Sequence, residues 1–197
     1  MKNVRLVSSR RVLALFGLAV VTVAVHAKTV YVSQQTGSNS NNGLSENTPK
    51  ATIQNAINAA ANGDTILVGP GVYADDEGLQ NSGHWWGQSR IMINNKALCI
   101  KSTHGPDVTH IVGKRGNTTT GYSAEEKTTY GTDVAKCVIV MNATTNKPVI
   151  IQGFTLRGGS THDRWNAPSG RGGALMDSSD GAASSKSTYV VDCVISN

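Results

Sequence analysis

The sequence predicts an all-β solenoid, a stack of short strands preceded by one short helix. Short apolar runs of strand length recur from residue 64 onward, and polar loops separate them. Runs of similar residues repeat along the chain, and repeats too small to bury their apolar faces alone are typical of solenoids. The chain has 197 residues, 39% of them hydrophobic, which is enough for one domain with a core. An ordinary β-sandwich is the alternative, because the repeats are few and imperfect.

The first 27 residues have the pattern of an export signal. Residues 2–11 are basic, and residues 12–25 form an apolar run that is too short to cross a bilayer as a helix. Residues 25–27 place small side chains three before and one before a cut, so we expect cleavage after Ala27 and a mature chain beginning at Lys28. An uncleaved N-terminal anchor and export by the twin-arginine route are the alternatives. The predicted location is secreted, or at the cell surface or outer membrane.

The net charge of +5 comes mostly from this signal. It contains four of the 18 basic residues and no acidic residue, which leaves 14 basic against 13 acidic residues in the mature chain. A nucleic-acid-binding protein carries a basic stripe, so no nucleic-acid partner is predicted. No later segment is long and apolar enough for a transmembrane span.

The N-terminal part, residues 28–63, is predicted to hold a strand, a loop and the helix. Residues 29–33 form the strand, and residues 34–47 are rich in Gly, Ser and Asn. Thr52 has the side chain of an N-cap, and Gly63 is expected to end the helix. The apolar face of that helix comprises Ile53, Ala56, Ile57 and Ala60.

Residues 64–197 are predicted to form the coils of the solenoid, with loop insertions. The predicted strand runs are residues 64–68, 97–102, 109–112, 137–141, 149–156, 174–177 and 189–196. Aligning Gly153 with Cys193 places Phe154 opposite Val194. Because no residue after Asn197 covers the last strands, we expect this chain to be the N-terminal part of a longer protein.

Several of these motifs resemble those of a known family. Residues 51–57 and 63–73 are similar to the entry of right-handed parallel β-helix proteins, the pectin-lyase-like superfamily. Residues 151–156, 172–175 and 191–197 are similar to coils of its secreted bacterial members. The resemblance covers residues 29–197 and implies a single-stranded right-handed parallel β-helix with a short N-terminal capping helix. The family includes lyases, hydrolases, epimerases, adhesins and binding surfaces, so the resemblance does not select an activity.

The sequence predicts no catalytic site in this segment. The resembling enzymes place catalysis on the first strand of each coil, and residues 64–68, 137–141 and 174–177 are the candidate first strands. They supply only Asp64 and Asp177, without an Arg, whereas lyase chemistry needs Ca²⁺-binding carboxylates with a base and glycoside hydrolysis needs paired carboxylates. No cofactor is predicted. Ca²⁺ bound by residues 75–77 is the alternative to three solvated loop acids.

The three cysteines are each set in an apolar run and are predicted to be small packing residues instead of disulfide partners. No Cys or His spacing indicates zinc.

Two loops carry the candidate binding residues. Adjacent tryptophans suit the stacking of sugar rings, and arginines suit uronic carboxylates. Loop anchoring by the tryptophans and ordinary salt bridges are the alternatives. The six residues are Trp85, Trp86, His162, Arg164, Trp165 and Arg171.

The predicted function is an extracytoplasmic β-helix repeat scaffold that binds polysaccharide or serves as a surface or adhesin passenger. The first alternative is the N-terminal part of a polysaccharide lyase or glycoside hydrolase with catalytic residues beyond Asn197. A free-standing domain for protein–protein contact is the second alternative.

Overall fold

The computed structural model describes residues 26–74, 79–81, 88–114, 135–141, 148–159, 173–177 and 188–196. These residues form short strands and one short helix. The helix α1 is Ile53–Ala59. The strands are β1 Thr29–Val32, β2 Thr65–Val68, β3 Gly71–Tyr73, β4 Gln80–Asn81, β5 Gln88–Asn94, β6 Cys99–Ser102, β7 Thr109–Val112, β8 Ala135–Met141, β9 Val149–Gln152, β10 Thr155–Arg157, β11 Leu175–Asp177, β12 Thr188–Val191 and β13 Val194–Ser196.

The strands belong to three sheets. Sheet A has the order β1-β2-β6-β9-β12, sheet B the order β3-β7-β10-β13, and sheet C the order β4-β5-β8-β11. All the pairings are parallel except the antiparallel pairing of β4 with β5. The prediction of a mostly-β protein with parallel strands and a short helix is therefore confirmed.

The chain visits the three sheets in a fixed rotation. We call one strand from each sheet, taken in chain order A, B, C, a rung. The first rung is β2, β3 and β5, the second is β6, β7 and β8, and the third is β9, β10 and β11; β12 and β13 begin a fourth. Neighbouring rungs are about 4.8 Å apart, the ordinary spacing of paired strands.

The core is built from residues that repeat at the same position of successive rungs. In sheet A, Val30 pairs with Ile66, Ile66 with Ile100, and Ile100 with Ile151. All four side chains are fully buried. β-branched side chains suit the pleated strand, and their neighbours alternate to the opposite face, as the burial pattern of β1 and β2 shows. Each rung therefore buries its apolar side chains against the next.

Helix α1 lies against the N-terminal end of this stack and contacts β1, β2 and β5. Its apolar residues Ile53, Ala56 and Ile57 are buried. The Thr52 hydroxyl accepts a hydrogen bond from Asn55 N at 3.2 Å, so the predicted N-cap is confirmed. The buried amide of Gln54 forms two hydrogen bonds with the Met92 backbone of β5, at 2.8 and 3.1 Å. These bonds satisfy backbone groups that a further strand would otherwise pair with.

The C-terminal end of α1 differs from the prediction. Gly63 was expected to end the helix, but Ala60 already has extended backbone angles. Lys96 Nζ donates to the carbonyl oxygens of Ile57 and Ala60, at 2.6 and 2.8 Å. A lysine from the connection between β5 and β6 therefore caps the helix, which the local sequence does not indicate.

The predicted alignment of the last two rungs is wrong by one residue. In the structure Ile151 pairs with Val190 and Thr155 with Val194. Gly153 corresponds to Asp192, because both residues adopt positive φ, +76° and +49°, at the bend between sheets A and B. Glycine and aspartate share this bend position because both tolerate the left-handed conformation. The sequence alignment matched the glycine with a small cysteine instead.

Two assignments of strands also need correction. Residues 64–68 do not belong with the other two candidate first strands, because β2 lies in sheet A whereas β8 and β11 lie in sheet C. The sheet-C strand of the first rung is β5, which lies between two predicted strand runs and is not itself among them. Its apolar residues Ile91 and Ile93 are buried and pair with Val138 and Val140. The long polar segment before β5 made this strand difficult to recognise from the sequence.

The three cysteines are free, as predicted. Cys137 is buried, whereas Cys99 and Cys193 are half-buried. In the fourth rung, Cys193 Sγ accepts a hydrogen bond from Phe154 N at 3.4 Å.

Candidate functional site

The long insertions of three successive rungs leave the fold at the same place. They connect β3 with β5, β7 with β8, and β10 with β11, so each begins where sheet B ends and finishes where sheet C begins. We call this line of chain ends the insertion edge. The connections from sheet A to sheet B, by contrast, contain two to six residues. Because adjacent rungs lie about 4.8 Å apart, the bases of the first and third insertions are separated by about 10 Å.

The first insertion returns through a β-hairpin. Gln80 pairs with Ser89 and Asn81 with Gln88 in antiparallel register. Residues 82–87 therefore link two paired strand ends at the edge of sheet C. They include Trp85 and Trp86, two of the predicted binding residues, which themselves lie outside the described residues.

The two ends of the third insertion lie side by side at the insertion edge. The backbones of Gly159 and Gly173 are so close that a Cβ on Gly159 would overlap the Gly173 carbonyl oxygen. That oxygen accepts a hydrogen bond from Cys137 N at 3.0 Å, which holds the neck of the insertion against β8. The intervening sequence contains His162, Arg164, Trp165 and Arg171, the other four predicted binding residues. They too lie outside the described residues.

Four basic residues adjoin the insertion edge: Arg90, Lys114, Lys136 and Arg157. Arg90 is 5% exposed, and its Nε donates to the carbonyl oxygen of Val112 at 2.7 Å. Lys136 is 3% exposed on the neighbouring strand, opposite Ser89. None of the acidic residues in the described ranges lies at this edge. Burying a cation costs free energy unless the cation is paired. The buried side chains of Arg90 and Lys136 are therefore held by the structure instead of facing a ligand.

Arg157 is more accessible to solvent than Arg90 and Lys136. It ends β10, is half-buried, and donates from Nε to His110 Nδ1 at 3.2 Å. Since His110 Nδ1 accepts this bond, the imidazole proton lies on Nε2, which is 3.1 Å from the Asp107 carbonyl oxygen. The pairing fixes the direction of the guanidinium on the outer side of sheet B, next to the neck of the third insertion.

Cys137 is the one thiol at this edge within the described ranges, and it is not activated. Burial raises its pKa, while the backbone of Gly113 and Arg157 and the charge of Arg90 act in the opposite direction. Its Sγ–H donates to the Arg157 carbonyl oxygen at 3.3 Å. A thiol with a raised pKa is a weak nucleophile at neutral pH, so Cys137 is a packing residue.

The two carboxylates weighed for catalysis are not brought together. Asp64 precedes β2 of sheet A and is buried, where its oxygens accept hydrogen bonds from the backbone nitrogens of Lys28 and Ala61. Asp177 ends β11 of sheet C, two rungs away, and accepts from the Thr188 hydroxyl at 2.6 Å. Asp64 holds the backbone and Asp177 pairs with a side-chain hydroxyl, so the two acids do not form the carboxylate pair that glycoside hydrolysis requires.

The described residues contain no group of three or more His, Cys, Asp and Glu side chains arranged to hold a metal ion. Residues 75–77, the alternative Ca²⁺ ligands, lie outside the described ranges. No helix in the described part of the chain is long and apolar enough to cross a membrane.

The basic residues of the insertion edge were missed by the sequence analysis. Arg90 and Lys136 come just before buried apolar runs, and Arg157 comes just after one. A cation at the junction of an apolar run and a long polar insertion is the sequence signal that could have identified these residues.

Comparisons of the chain with protein-family models, curated proteins and solved structures found no match.

Proposed function

We propose that this protein is an extracytoplasmic repeat scaffold that binds polysaccharide along the insertion edge. One observation carries the proposal: the long insertions of three consecutive rungs start and end on the same edge. Insertions from one face of a repeat fold are where such proteins place their binding surfaces. Service as a surface or adhesin passenger is compatible with the same surface.

The proposed architecture is a single-stranded right-handed parallel β-helix of the pectin-lyase-like type. Every complete rung follows the order A, B, C, and the strands of successive rungs pair in parallel. A connection between parallel strands of one sheet is right-handed in about 98% of cases. A rotation through three sheets with that hand produces a right-handed coil.

Export is part of the proposal. The basic residues 2–11, the apolar run 12–25 and the small residues before Lys28 support a cleaved signal. Cys99, Cys137 and Cys193 are free, so the fold does not depend on oxidation after export.

The proposed ligand is an acidic polysaccharide. In the sequence, Trp85 and Trp86 lie between β4 and β5, and Arg164 and Arg171 lie between β10 and β11. The separation of about 10 Å between the bases of these insertions is short enough for one extended glycan chain to reach both. Tryptophan faces would stack on the rings, and guanidinium groups would pair with uronic carboxylates.

The test is a binding titration of the exported protein against polygalacturonate, alginate and a neutral glucan. We expect the double variant W85A/W86A to weaken binding of all bound glycans about tenfold, the effect of losing two aromatic contacts. We expect R164A/R171A to remove the preference for the acidic glycans, and this preference should fall with added salt in the wild type. Y189A and K101A are matched controls, because both side chains are exposed on sheet A, whereas the insertions begin at sheet B and end at sheet C.

Unfolding of W85A/W86A would show that the tryptophans anchor the hairpin. Absence of any glycan binding by the wild-type protein would contradict the ligand. Release of unsaturated or reducing sugars during the titration would instead support the lyase or hydrolase alternative.

A further inference from the structure

The backbone nitrogen of Lys28 lies in a position that is prepared for a positive charge. Lys28 N donates a hydrogen bond to Asp64 Oδ1 at 2.9 Å. The carbonyl oxygen of Lys28 accepts a hydrogen bond from Thr65 N at 3.0 Å. Lys28 is therefore held at both backbone groups against the start of β2.

Asp64 is a buried acid, 2% exposed. Its second oxygen, Oδ2, accepts a hydrogen bond from Ala61 N at 2.7 Å and thereby holds the turn after α1. The nearest cation is Lys28 Nζ, at 3.8 Å from Oδ2, on a side chain that is 45% exposed. Lys96, which caps α1, also interacts electrostatically with Asp64. The most direct polar contact of Oδ1 is with the Lys28 backbone nitrogen.

We infer that cleavage of the Ala27–Lys28 bond creates an α-ammonium group that pairs with Asp64 and so locks the N-terminal end of the fold. This inference rests on the proposed export. In the hydrolysis, water supplies the hydroxyl group to the Ala27 carbonyl and a proton to Lys28 N, and the resulting amine takes a further proton at neutral pH. The leaving product ends in the Ala27 carboxylate.

The chemical change strengthens a contact that already exists. Before cleavage, Lys28 N is a neutral amide, whereas after cleavage it is a cation beside a buried carboxylate. Cleavage adds to this hydrogen bond the Coulomb attraction between two opposite charges, which is stronger beside a buried carboxylate than in water. His26 and Ala27 are exposed, so the bond is reachable without unfolding of the strands.

The position of the cut therefore matters. Cleavage one residue earlier leaves Lys28 N as an amide and places the new ammonium group on exposed Ala27. Asp64 in this way distinguishes the correctly processed chain from a chain processed one residue away. The same contact joins three elements, since it connects the start of β1, the turn after α1 and the start of β2.

The test compares three otherwise identical purified chains. One begins at Lys28 with a free amine, the second carries an acetyl group on that amine, and the third begins at Ala27. We expect the first to melt about 2–4 °C higher than the other two. We also expect hydrogen exchange of the Thr65 amide to be about fivefold slower in the first chain, because local opening there must break the ion pair.

Two variants identify the source of the difference. D64N should abolish the difference among the three chains. K28Q removes the ε-ammonium and retains the α-ammonium, so the difference between its free and acetylated forms should remain. If D64N does not fold, the comparison of free and acetylated wild-type chains decides the question.

Equal melting and equal Thr65 exchange in those two chains would overturn the pairing. Cleavage itself is tested separately by N-terminal sequencing of exported protein. A start other than Lys28 would refute the processing step, and it would leave the glycan titration free to decide the binding proposal.

Discussion

The two ends of sheet A show how the same strand pattern acquires different burial. At one end, Val30 of β1 is fully buried beneath helix α1. At the other end, Val190 of β12 occupies the equivalent inward position, paired with Ile151, and is 40% exposed. Ile151 itself is fully buried, because it has a rung on each side. In sheet A, an inward aliphatic side chain is therefore buried where a layer covers it on each side.

The backbone shows the same contrast. The free edge of β1 bonds to the following loop: Tyr31 N donates to Gly43 O at 2.8 Å, and Lys50 N donates to Tyr31 O at 2.9 Å. In the described part of the chain, β12 pairs only with β9. The N-terminal loop and α1 thus do for β1 what a further rung does for an interior strand.

The largest difference between the ends should appear when the inward aliphatic residues are shortened. We expect I100A to lower the free energy of unfolding by about 2–5 kcal/mol, because it leaves a cavity between two rungs. V190A should cost less than about 1 kcal/mol, since its side chain is already partly in water. Denaturant titration of both variants measures the contrast. Equal losses of stability in I100A and V190A would mean that Ile100 is packed no more tightly than Val190.

A second contrast concerns the tyrosines of the two ends at high pH. Tyr73 of β3 is 4% exposed, and its hydroxyl donates to the Gly69 carbonyl oxygen at 2.9 Å. Burial raises the pKa of Tyr73 to about 12. An unfolded chain loses this proton near pH 10, so the stabilisation is fully present below pH 10 and is lost as the pH rises to 12.

Tyr73→Phe tests this directly. At pH 7 the variant should be less stable by about 1 kcal/mol, through the lost hydrogen bond. Between pH 10 and 11.5 the wild type should lose about 1.5 kcal/mol more than the variant. Unfolding titrations at pH 7, 10 and 11.5 measure both differences. Y189F is the control because Tyr189 is 52% exposed. This variant retains Tyr73 and should decline at high pH as the wild type does, so a smaller decline in Y189F would contradict the assignment to burial of Tyr73.

The smallest expected effect tests whether α1 protects its own end selectively. T52A removes the N-cap acceptor of α1 and should cost about 1 kcal/mol, while T52S retains the oxygen and should cost much less. Hydrogen exchange should quicken in β1 and β2 but not in β9. Equally faster hydrogen exchange in all strands of sheet A would indicate that the fold opens as a whole, so that the two ends are not independent.

The strands were predictable because their signal is local. Runs such as residues 97–102 and 109–112 contain the β-branched residues that strands favour, and turn residues follow them. β5 was missed because a polar insertion separates it from β3. The register between rungs was missed by one residue because Gly153 and Asp192 share a backbone conformation and not a residue type.

The candidate site was predictable only in part. The sequence identifies Trp85, Trp86, Arg164 and Arg171 as unusual loop residues. Because the two loops are far apart in the sequence, it does not indicate that both begin and end at the same edge. Parallel pairing of β5, β8 and β11 places the bases of the insertions in adjacent rungs. Arg90 and Lys136 were overlooked because a charge beside an apolar run usually marks a strand end in water, whereas here both side chains are buried.

By itself, the sequence determined most of the local elements: the strands within the predicted apolar runs, helix α1 with its Thr52 cap, and cysteines set in apolar runs. These depend on neighbours within a few residues, through side-chain shape, capping hydrogen bonds and turn conformation. The tertiary structure decided which strand belongs to which sheet, which register the rungs adopt, and that Lys28 N, Lys96 and Asp64 meet at the end of α1. These depend on contacts between residues more than 30 positions apart, such as Lys28 with Asp64. Such contacts form only when packing brings the rungs together, and no local pattern records them.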